Sequence, residues 1–416
     1  MFIKTNRLSL SRQQSHMTIW GHRNFLILFF TSGIIAFGNK IYELALPLIL
    51  YDLTQSAVAM STMKGIEFLP NLLLAVFIGV LVDRVHKKNW SLASILLQML
   101  VLLGLYATLA YGAPSLYVLY IGGFLLMTFG YAFSNARVAI VKQAIPTELL
   151  TSANVSLNFV TTLIGIIGPV LTGLMLMLPR LHDGLFVTAV AFGFAFILLL
   201  FLQSNEQPRA QRQSSFWKEL LEGWRELRRN RLLWLISLTV IFLNCASGMV
   251  DTTVIFYAKD ALLLSNFELG LVWSAAGIGG LLGSFIISWL RRRLKVGTLI
   301  TLTTLCLALT YFMMYLSHSA AMLGVSLFLN GWFETISVVC IWTFRQETTP
   351  QHLIGRISGI TGSLFKLGMP FAVAAAGWIS AFTAPSIVFL VAMLINLILF
   401  VCCRFSPLWE KQRSLI

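Results

Sequence analysis

Apolar runs of about 20 residues, separated by short polar turns, make up most of the 416-residue chain. A helix needs ~20 mostly apolar residues to cross a bilayer, because its backbone rises about 1.5 Å per residue. The pattern therefore predicts an all-α membrane protein. We place twelve transmembrane spans at residues 24–50, 57–82, 91–111, 115–134, 153–177, 184–202, 232–257, 267–290, 297–316, 320–344, 357–381 and 385–403.

The charged residues support this class and orient the chain. Only 11% of residues are charged, whereas roughly 25% are charged in soluble domains. The net charge of +14 does not indicate nucleic-acid binding, because the basic residues lie between apolar runs and form no patch. One set of loops carries nearly all of them, and the opposite set carries only Arg180 and Lys259. The basic side is cytoplasmic by the positive-inside rule, so both termini are predicted there.

Cysteine and histidine positions exclude other classes of site. All five cysteines fall inside apolar runs, and all six histidines fall outside them, so we expect no disulfide framework and no metal site. No phosphate loop or nucleophile–base pair indicates an enzyme or a bound cofactor. Residues 1–23 carry Lys4, Arg7 and Arg12 without an apolar core, which predicts a cytoplasmic tail and no cleaved signal peptide. Residues 404–416 form a second predicted tail.

Residues 203–231 form the longest polar interval and divide the chain into predicted bundles at 24–202 and 232–403. The first part, 204–215, has the composition of a linker. The second part is amphipathic, with apolar residues on one helical face and basic residues beside them. We interpret it as an interfacial helix on the inner leaflet, and a helix that binds a protein partner is the alternative. The apolar positions are Phe216, Trp217, Leu220, Leu221, Trp224 and Leu227.

Two features recur at one offset. Adding 204 to Gly79 gives Gly283, which opens another stretch ending in basic residues, and the same offset takes Pro146 to Pro350. A shared offset indicates a parallel repeat, so we expect two pseudo-symmetric six-helix bundles.

A motif after the second predicted span reads Gly79-x-x-x-Asp83-Arg84-x-x-Lys87-Lys88. Gly79 lies one helical turn before Asp83, so the two residues share a helix face. Because glycine has no side chain, a neighbouring helix can come close at Gly79, and the Asp83 carboxylate can cap the N-terminus of another helix. The pattern resembles the signature between helices 2 and 3 of the major facilitator superfamily of secondary transporters. An ordinary positive-inside loop is the alternative.

Further stretches carry the same resemblance. Gly168-Pro169-V-L-T-Gly173 is similar to the G-P-x-x-G-G element of that superfamily, with Thr172 in place of one glycine, and members with this element are mostly exporters. The runs at 45–56 and 345–356 resemble the branch that includes macrolide and enterobactin exporters. The resemblance implies the major facilitator fold, with spans 3, 6, 9 and 12 facing lipid.

Seven ionisable residues lie inside predicted spans, where each costs several kcal/mol unless it has a polar environment. Spans 3, 6, 9 and 12 contain none of them, which agrees with the division that the resemblance implies. We therefore expect these side chains to face a shared central cavity. They are Lys40, Glu43, Lys64, Glu67, Asp251, Glu334 and Lys366.

The spacing within this set predicts specific pairs. Lys40 and Lys64 each have a glutamate three residues later, and the hairpin of spans 1 and 2, folding back near residues 52–53, places them at similar depth. The four charges form either a structural double ion pair or a switching network. Equal depth on successive helices also predicts a pair of Glu334 with Lys366.

Candidate roles follow from these positions. Glu334 is the first candidate for the proton-coupling acid, ahead of Glu43 and Glu67. We expect Asp251, near the outer end of span 7, to cap the outer surface, with a place in the cavity as the alternative. Uncharged candidates for the cavity, with helix–helix contact as the alternative, are Asn39, Tyr42, Asn158, Asn244 and Asn330.

Together the sequence predicts a monomeric, proton-coupled secondary transporter of a bacterial inner membrane. It would move a small organic molecule, siderophore- or drug-like, by alternating access, and the resemblance favours export. Three buried lysines favour an anionic or zwitterionic cargo. A lipid flippase, a siderophore importer and a non-transporting sensor or scaffold are the alternatives. The predicted partners are the organic substrate and membrane lipids, with the proton gradient in place of a cofactor.

Overall fold

The computed structural model describes residues 19–74, 77–78, 81–82, 85–112, 115–146, 149–175, 180, 182–203, 216–349 and 354–409. Regular structure in these residues is entirely helical. A short 3-10 turn at Ile19–Gly21 precedes the helices, which are α1 Arg23–Thr54, α2 Ala57–Leu73, α3 Lys87–Tyr111, α4 Leu116–Ala144, α5 Leu150–Met175, α6 Asp183–Leu200, α7 Phe216–Arg229, α8 Arg231–Asp260, α9 Asn266–Arg293, α10 Val296–Tyr315, α11 Ala320–Thr348, α12 Ile354–Leu364, α13 Met369–Phe382 and α14 Pro385–Arg404.

Ten segments of the described chain are long and apolar enough to cross a membrane, and one of them, Ile360–Phe382, takes in α13 and part of α12. This confirms an all-α, multi-pass membrane protein. The other two predicted spans, 57–82 and 153–177, overlap α2, which ends at Leu73, and α5, which ends at Met175. Twelve spans, the boundaries of the bundles and their pseudo-symmetry stay predictions.

The α1–α2 hairpin turns slightly later than the sequence predicts. Helix α1 continues through Thr54, and Gln55 then adopts a left-handed backbone with φ of 50°, which ends the helix. The next helix begins at once, because the Ser56 side chain accepts a hydrogen bond from the Ala59 N–H at 3.3 Å. The turn is therefore at 55–56 and not at 52–53.

The same helix pairings occur in both halves. In the first half α1 packs on α5 and α6, α3 packs on α4 and α6, and α2 packs on α4. In the second half α8 packs on α13 and α14, α10 packs on α11 and α14, and α9 packs on α11. Between the halves, α2 contacts α13 and α8, and α5 contacts α9. This matching supports the predicted repeat, although a rotation relating the halves stays a prediction.

The two halves are joined mainly at one end. A continuous hydrophobic core links them where α1 and α8 finish, and there the rings of Tyr51 and Phe256 meet edge to face at 5.7 Å. Toward the starts of α1 and α8, the clusters around Ile78 and Ile236 each lie within one half. Among the described residues, the buried apolar side chains of the two halves therefore meet toward the ends of α1 and α8 and not near Arg23 and Arg231.

Helix α7 confirms the predicted amphipathic segment. Leu227 is buried against Ile357 of α12, and the Arg228 guanidinium lies 5.5 Å and 5.8 Å from the rings of Trp224 and Trp234. Part of its apolar face is thus covered by the second half of the protein itself. Its position on the inner leaflet stays a prediction.

The predicted eleventh span is interrupted. Residues 365–368 form a turn between α12 and α13, with Pro370 at the start of α13. Asn244 Nδ2 donates to the Phe365 carbonyl oxygen at 2.9 Å. The break leaves this carbonyl without its usual i→i+4 hydrogen bond within a helix, and the Asn244 amide replaces that bond. Broken helices are tolerated at membrane depth when other groups satisfy the freed backbone atoms in this way. The span predicted at 357–381 therefore corresponds to the membrane-spanning segment Ile360–Phe382, which consists of two helices joined by this turn.

Candidate functional site

A cavity of about 510 Å³ is lined mainly by the second half, and Asn71 and Tyr131 of the first half complete its wall. Helices α2, α4, α8, α10 and α11 and the break between α12 and α13 supply its walls. Its aromatic lining consists of Tyr131, Tyr311, Trp342 and Phe365. Its polar lining includes Asn71, Asn244, Ser247, Glu334, Ser337 and Lys366. A mixed lining of this kind can bind a small organic molecule and fix its orientation.

Both predicted Lys–Glu pairs of the first half are present. Lys40 Nζ lies 2.6 Å from Glu43 Oε2, and Lys64 Nζ lies 2.9 Å from Glu67 Oε2. The pairs differ in burial, because Lys40 and Glu43 keep 41% and 28% of their side chains exposed while Glu67 keeps 2%. The Oε1 atom of Glu67 is buried without a hydrogen-bond partner. The spacing of three residues was sufficient to predict these contacts, since it places both members on one helix face.

The charges of the second half join this cluster. Asp251 interacts electrostatically with Lys40, Lys64 and Glu334, and Lys366 interacts with Glu43. Ser247 Oγ donates to Glu334 Oε1 at 3.3 Å. The seven predicted intramembrane charges are therefore close enough to form one electrostatic group, the charge network, that both halves supply. Glu334 and Lys366 line the cavity, whereas the expectation that all seven would do so is wrong.

Two predicted placements were wrong. Asp251 does not cap the outer surface, because α8 continues for nine residues to Asp260, which places Asp251 about 13 Å from the helix end. Among the ion pairs of the described residues, none joins Glu334 to Lys366. The estimate of equal depth assumed a continuous helix, whereas Lys366 lies in the turn between α12 and α13. Both residues nevertheless line the cavity.

Three uncharged candidates do not line this cavity. Tyr42 is fully buried, and its hydroxyl donates to Met127 Sδ at 3.6 Å. Asn330 donates to Thr310 Oγ1 at 3.3 Å and so links α11 to α10. Asn39 has a buried Oδ1 without a hydrogen-bond partner, away from the lining. Rotation about the helix axis, which the sequence does not specify, turns Tyr42 and Asn330 toward neighbouring helices. Asn244, by contrast, lies in the wall as predicted.

Several motif residues lie outside the described part of the molecule. These are Gly79, Asp83 and Arg84, and also the side chains of Asn158 and Pro169, although the α5 backbone at Gly168, Pro169 and Gly173 is helical. Lys88 is described, and its ammonium donates to the carbonyls of Leu200 and Leu202, each at 2.8 Å, at the end of α6. Lys87 donates to the Val85 carbonyl at 3.0 Å. The two Lys88 bonds fasten α3 to the end of α6, and the conformational role of the motif stays a prediction.

Sequence reasoning missed several lining residues, notably Ser247, Tyr311 and Ser337. A signal existed for Ser247, because Asn244, Ser247 and Asp251 follow one another at intervals of three and four residues and share one face of α8. It was overlooked because a lone serine in an apolar run has no charge to bury. Tyr311 and Ser337 carry no comparable local signal.

The formal charges of the network are unequal. It contains three lysines and four carboxylates, so it carries one net negative charge when all seven groups are ionised. One proton would neutralise it. In a site with low dielectric such an imbalance is costly, so uptake of one proton would remove the excess negative charge.

The chain is 26% identical over 308 residues to the enterobactin exporter EntS of Escherichia coli O1:K1 / APEC, which covers 74% of this chain and 73% of the relative. It is also 26% identical over 309 residues to EntS of Shigella boydii serotype 18 (strain CDC 3083-94 / BS512), with the same coverage.

Solved structures share the fold at low identity. The nucleoside transporter NupG superposes with a TM-score of 0.77 at 11% identity and covers 94% of this chain and 100% of its own. A bacterial homologue of the iron transporter ferroportin in an inward-facing state gives a TM-score of 0.71 at 16% identity, over 92% of this chain and 99% of its own. The sequence profile described as Major Facilitator Superfamily matches residues 28–373, so the chain belongs to the Major Facilitator Superfamily.

Proposed function

We propose that this protein is a proton-coupled secondary transporter that exports a small organic molecule, siderophore- or drug-like, across the bacterial inner membrane by alternating access. The observation that carries the proposal is the cavity, which residues of both halves line, together with the network of seven charges that both halves supply. Similarity to an enterobactin exporter supports an organic, siderophore-like cargo and outward movement. We further propose that it works as a monomer with both termini in the cytoplasm.

The joining of the halves at one end supports alternating access. The shared core and the contact of Tyr51 with Phe256 close the end of the molecule opposite to Arg23 and Arg231. With the basic end in the cytoplasm, cargo would enter the cavity from the cytoplasm in this conformation. Opening the other end requires these contacts between the halves to separate, which is the rocking motion of this class of transporter.

Glu334 is the proposed coupling acid, because it lines the cavity and lies in the same electrostatic group as Asp251. Asp251 of the second half attracts Lys40 and Lys64 of the first half. Each proton taken up by these carboxylates weakens the attraction between the halves. Proton occupancy and the contact between halves are thereby coupled, and a proton gradient can bias the conformational equilibrium.

The test is transport by the purified chain in reconstituted vesicles, with candidate siderophores and drugs as cargo and with or without a pH gradient. We expect the gradient to drive cargo movement, and Glu334→Gln to abolish the response to the gradient while the protein still folds. Asp260→Asn is the matched control, because it removes an exposed carboxylate at the end of α8. An unchanged gradient response in Glu334→Gln would move the coupling role elsewhere. Movement of labelled phospholipid in place of soluble cargo would indicate a flippase, and proton-driven accumulation in the import direction would indicate an importer.

A further inference from the structure

Arg345 is a buried arginine in the last turn of α11. Only 3% of it is exposed, and none of the ion pairs among the described residues includes it. Among the described residues, the Arg345 side chain makes one hydrogen bond, in which Nη1 donates to Thr361 Oγ1 at 2.9 Å. A guanidinium has five N–H donors and always carries its charge, and no carboxylate of the described residues forms an ion pair with this one.

Aromatic rings separate this charge from the cavity. The Arg345 guanidinium lies 3.9 Å from the centre of the Trp342 ring and 5.9 Å from that of Phe365. Both rings line the cavity, and Arg345 does not. The guanidinium therefore lies behind the aromatic wall, where the Trp342 ring already accepts its cation–π contact.

A second positive group stands on the same wall. Lys366 follows Phe365 directly and lines the cavity, and no ion pair among the described residues includes it. The positive charges of Arg345 and Lys366 would both repel a cationic ligand that stacked on Trp342. The same two charges would attract a ligand whose ring carries a negative group. Glu334 also lines the cavity and repels anions, and Glu43 interacts electrostatically with Lys366. Lys366 is the cationic side chain of the lining, so it is the group that the anionic end of a ligand would meet.

We propose that Trp342, Phe365 and Lys366, with Arg345 behind them, form a subsite for an aromatic anion, that is, a ring that carries a carboxylate or a phenolate. The ring stacks on Trp342, which is 49% exposed, and the anionic group meets the Lys366 ammonium. Arg345 is a positioning residue that sets the charge of the wall without touching the ligand. The inference rests on the proposed transport function for its biological use, since it names the class of cargo.

Equilibrium dialysis with the purified full chain in lipid nanodiscs, without any gradient, tests the subsite. The two probes are 1-naphthoate and 1-naphthylmethylammonium, which share a ring system and differ in the sign of their charge. We expect naphthoate to bind at least about tenfold more tightly than the ammonium probe. Arg345→Gln and Lys366→Gln should each weaken naphthoate about tenfold, and Arg345→Gln should narrow the preference between the probes. Trp342→Phe, which keeps a ring, should retain the preference for the anion.

Arg293→Gln is the matched control, because the Arg293 guanidinium lies 5.7 Å from the centre of the Trp289 ring away from the cavity. It should leave naphthoate binding unchanged. If Arg345→Gln fails to fold, two other measurements test the subsite. They are the preference of the natural chain for naphthoate over the ammonium probe and the loss of naphthoate affinity in Lys366→Gln. Equal binding of the two probes, a preference for the ammonium probe, or unchanged naphthoate binding in Lys366→Gln would overturn the subsite. Because no transport is measured, a bound anion with no movement in vesicles would count against the proposed function and leave the subsite standing.

Discussion

Lys64 of α2 donates its ammonium to the backbone carbonyl of Glu43 on α1 at 2.6 Å. The same ammonium pairs with Glu67 on its own helix at 2.9 Å. One side chain therefore satisfies a buried carboxylate and fastens two helices of the first half. Among the ion pairs of the described residues, Lys40 takes part in the one on its own helix, where it is more exposed than Lys64.

Replacing Lys64 should be the most destabilising change in the charge network. Lys64→Gln leaves the Glu67 carboxylate buried without a counter-charge, so we expect a loss of about 3–5 kcal/mol. Lys40→Gln should cost about 1 kcal/mol or less, because exposed pairs contribute little. Reversible unfolding in detergent micelles measures both, and Lys64→Gln/Glu67→Gln should recover part of the loss. Equal losses in the two single variants would contradict the difference in burial.

The α9–α11 interface should not tolerate a side chain at Gly331. A Cβ at this position would overlap the Ala276 backbone carbonyl oxygen, and a backbone cannot move aside as a flexible side chain can. We expect Gly331→Ala to destabilise the protein by roughly 1–3 kcal/mol. Gly324→Ala on the same helix is the control, since nothing lies within 4 Å of its Cβ position. Thermal unfolding followed by circular dichroism compares them, and a matching midpoint for the two variants would refute the close approach.

A side chain at Gly377 should open the end where the halves meet. A Cβ there would lie 2.6 Å from Ser61 Cβ and 3.0 Å from the Ala57 carbonyl oxygen of the other half. We expect Gly377→Ala to shift the conformational equilibrium away from the closed outer contact. The readout is the rate of thiol labelling at Thr253→Cys, a position buried in this contact, in a chain whose own cysteines are replaced by serine. Labelling should accelerate several-fold in Gly377→Ala and stay unchanged in Gly165→Ala, which has open space at its Cβ position. No acceleration would show that the contact adapts without opening.

Asn244 should hold the break between α12 and α13. The Asn244 amide donates to the Phe365 carbonyl oxygen at 2.9 Å, and Asn244→Ala removes this donor. We expect the variant to lose about 1–2 kcal/mol of unfolding free energy. Amide hydrogen exchange should accelerate at 365–369 in this variant. Asn330→Ala is the control, because that amide links α11 to α10 instead and should leave exchange at 365–369 unaltered. Unchanged exchange in Asn244→Ala would assign the break to the local sequence Gly368-Met369-Pro370 alone.

Agreement between sequence and structure is closest where the interaction is local. The Lys40–Glu43 and Lys64–Glu67 pairs were predictable because a spacing of three residues places two side chains on one helix face whatever surrounds the helix. The same reasoning failed for Glu334 and Lys366, because their relation depends on whether the chain between α12 and α13 is continuous.

By itself the sequence determined the all-helical, multi-pass class and the amphipathic helix α7, because apolar run length and helical periodicity depend only on the order of residues. Only the tertiary structure decided that Tyr42 packs on Met127, that Asp251 joins Lys40 and Lys64, and that Arg345 lies behind Trp342. Those outcomes depend on how each helix is rotated and which helix it meets. Packing across the whole fold sets both, and residues far apart in the chain carry no local pattern that specifies it.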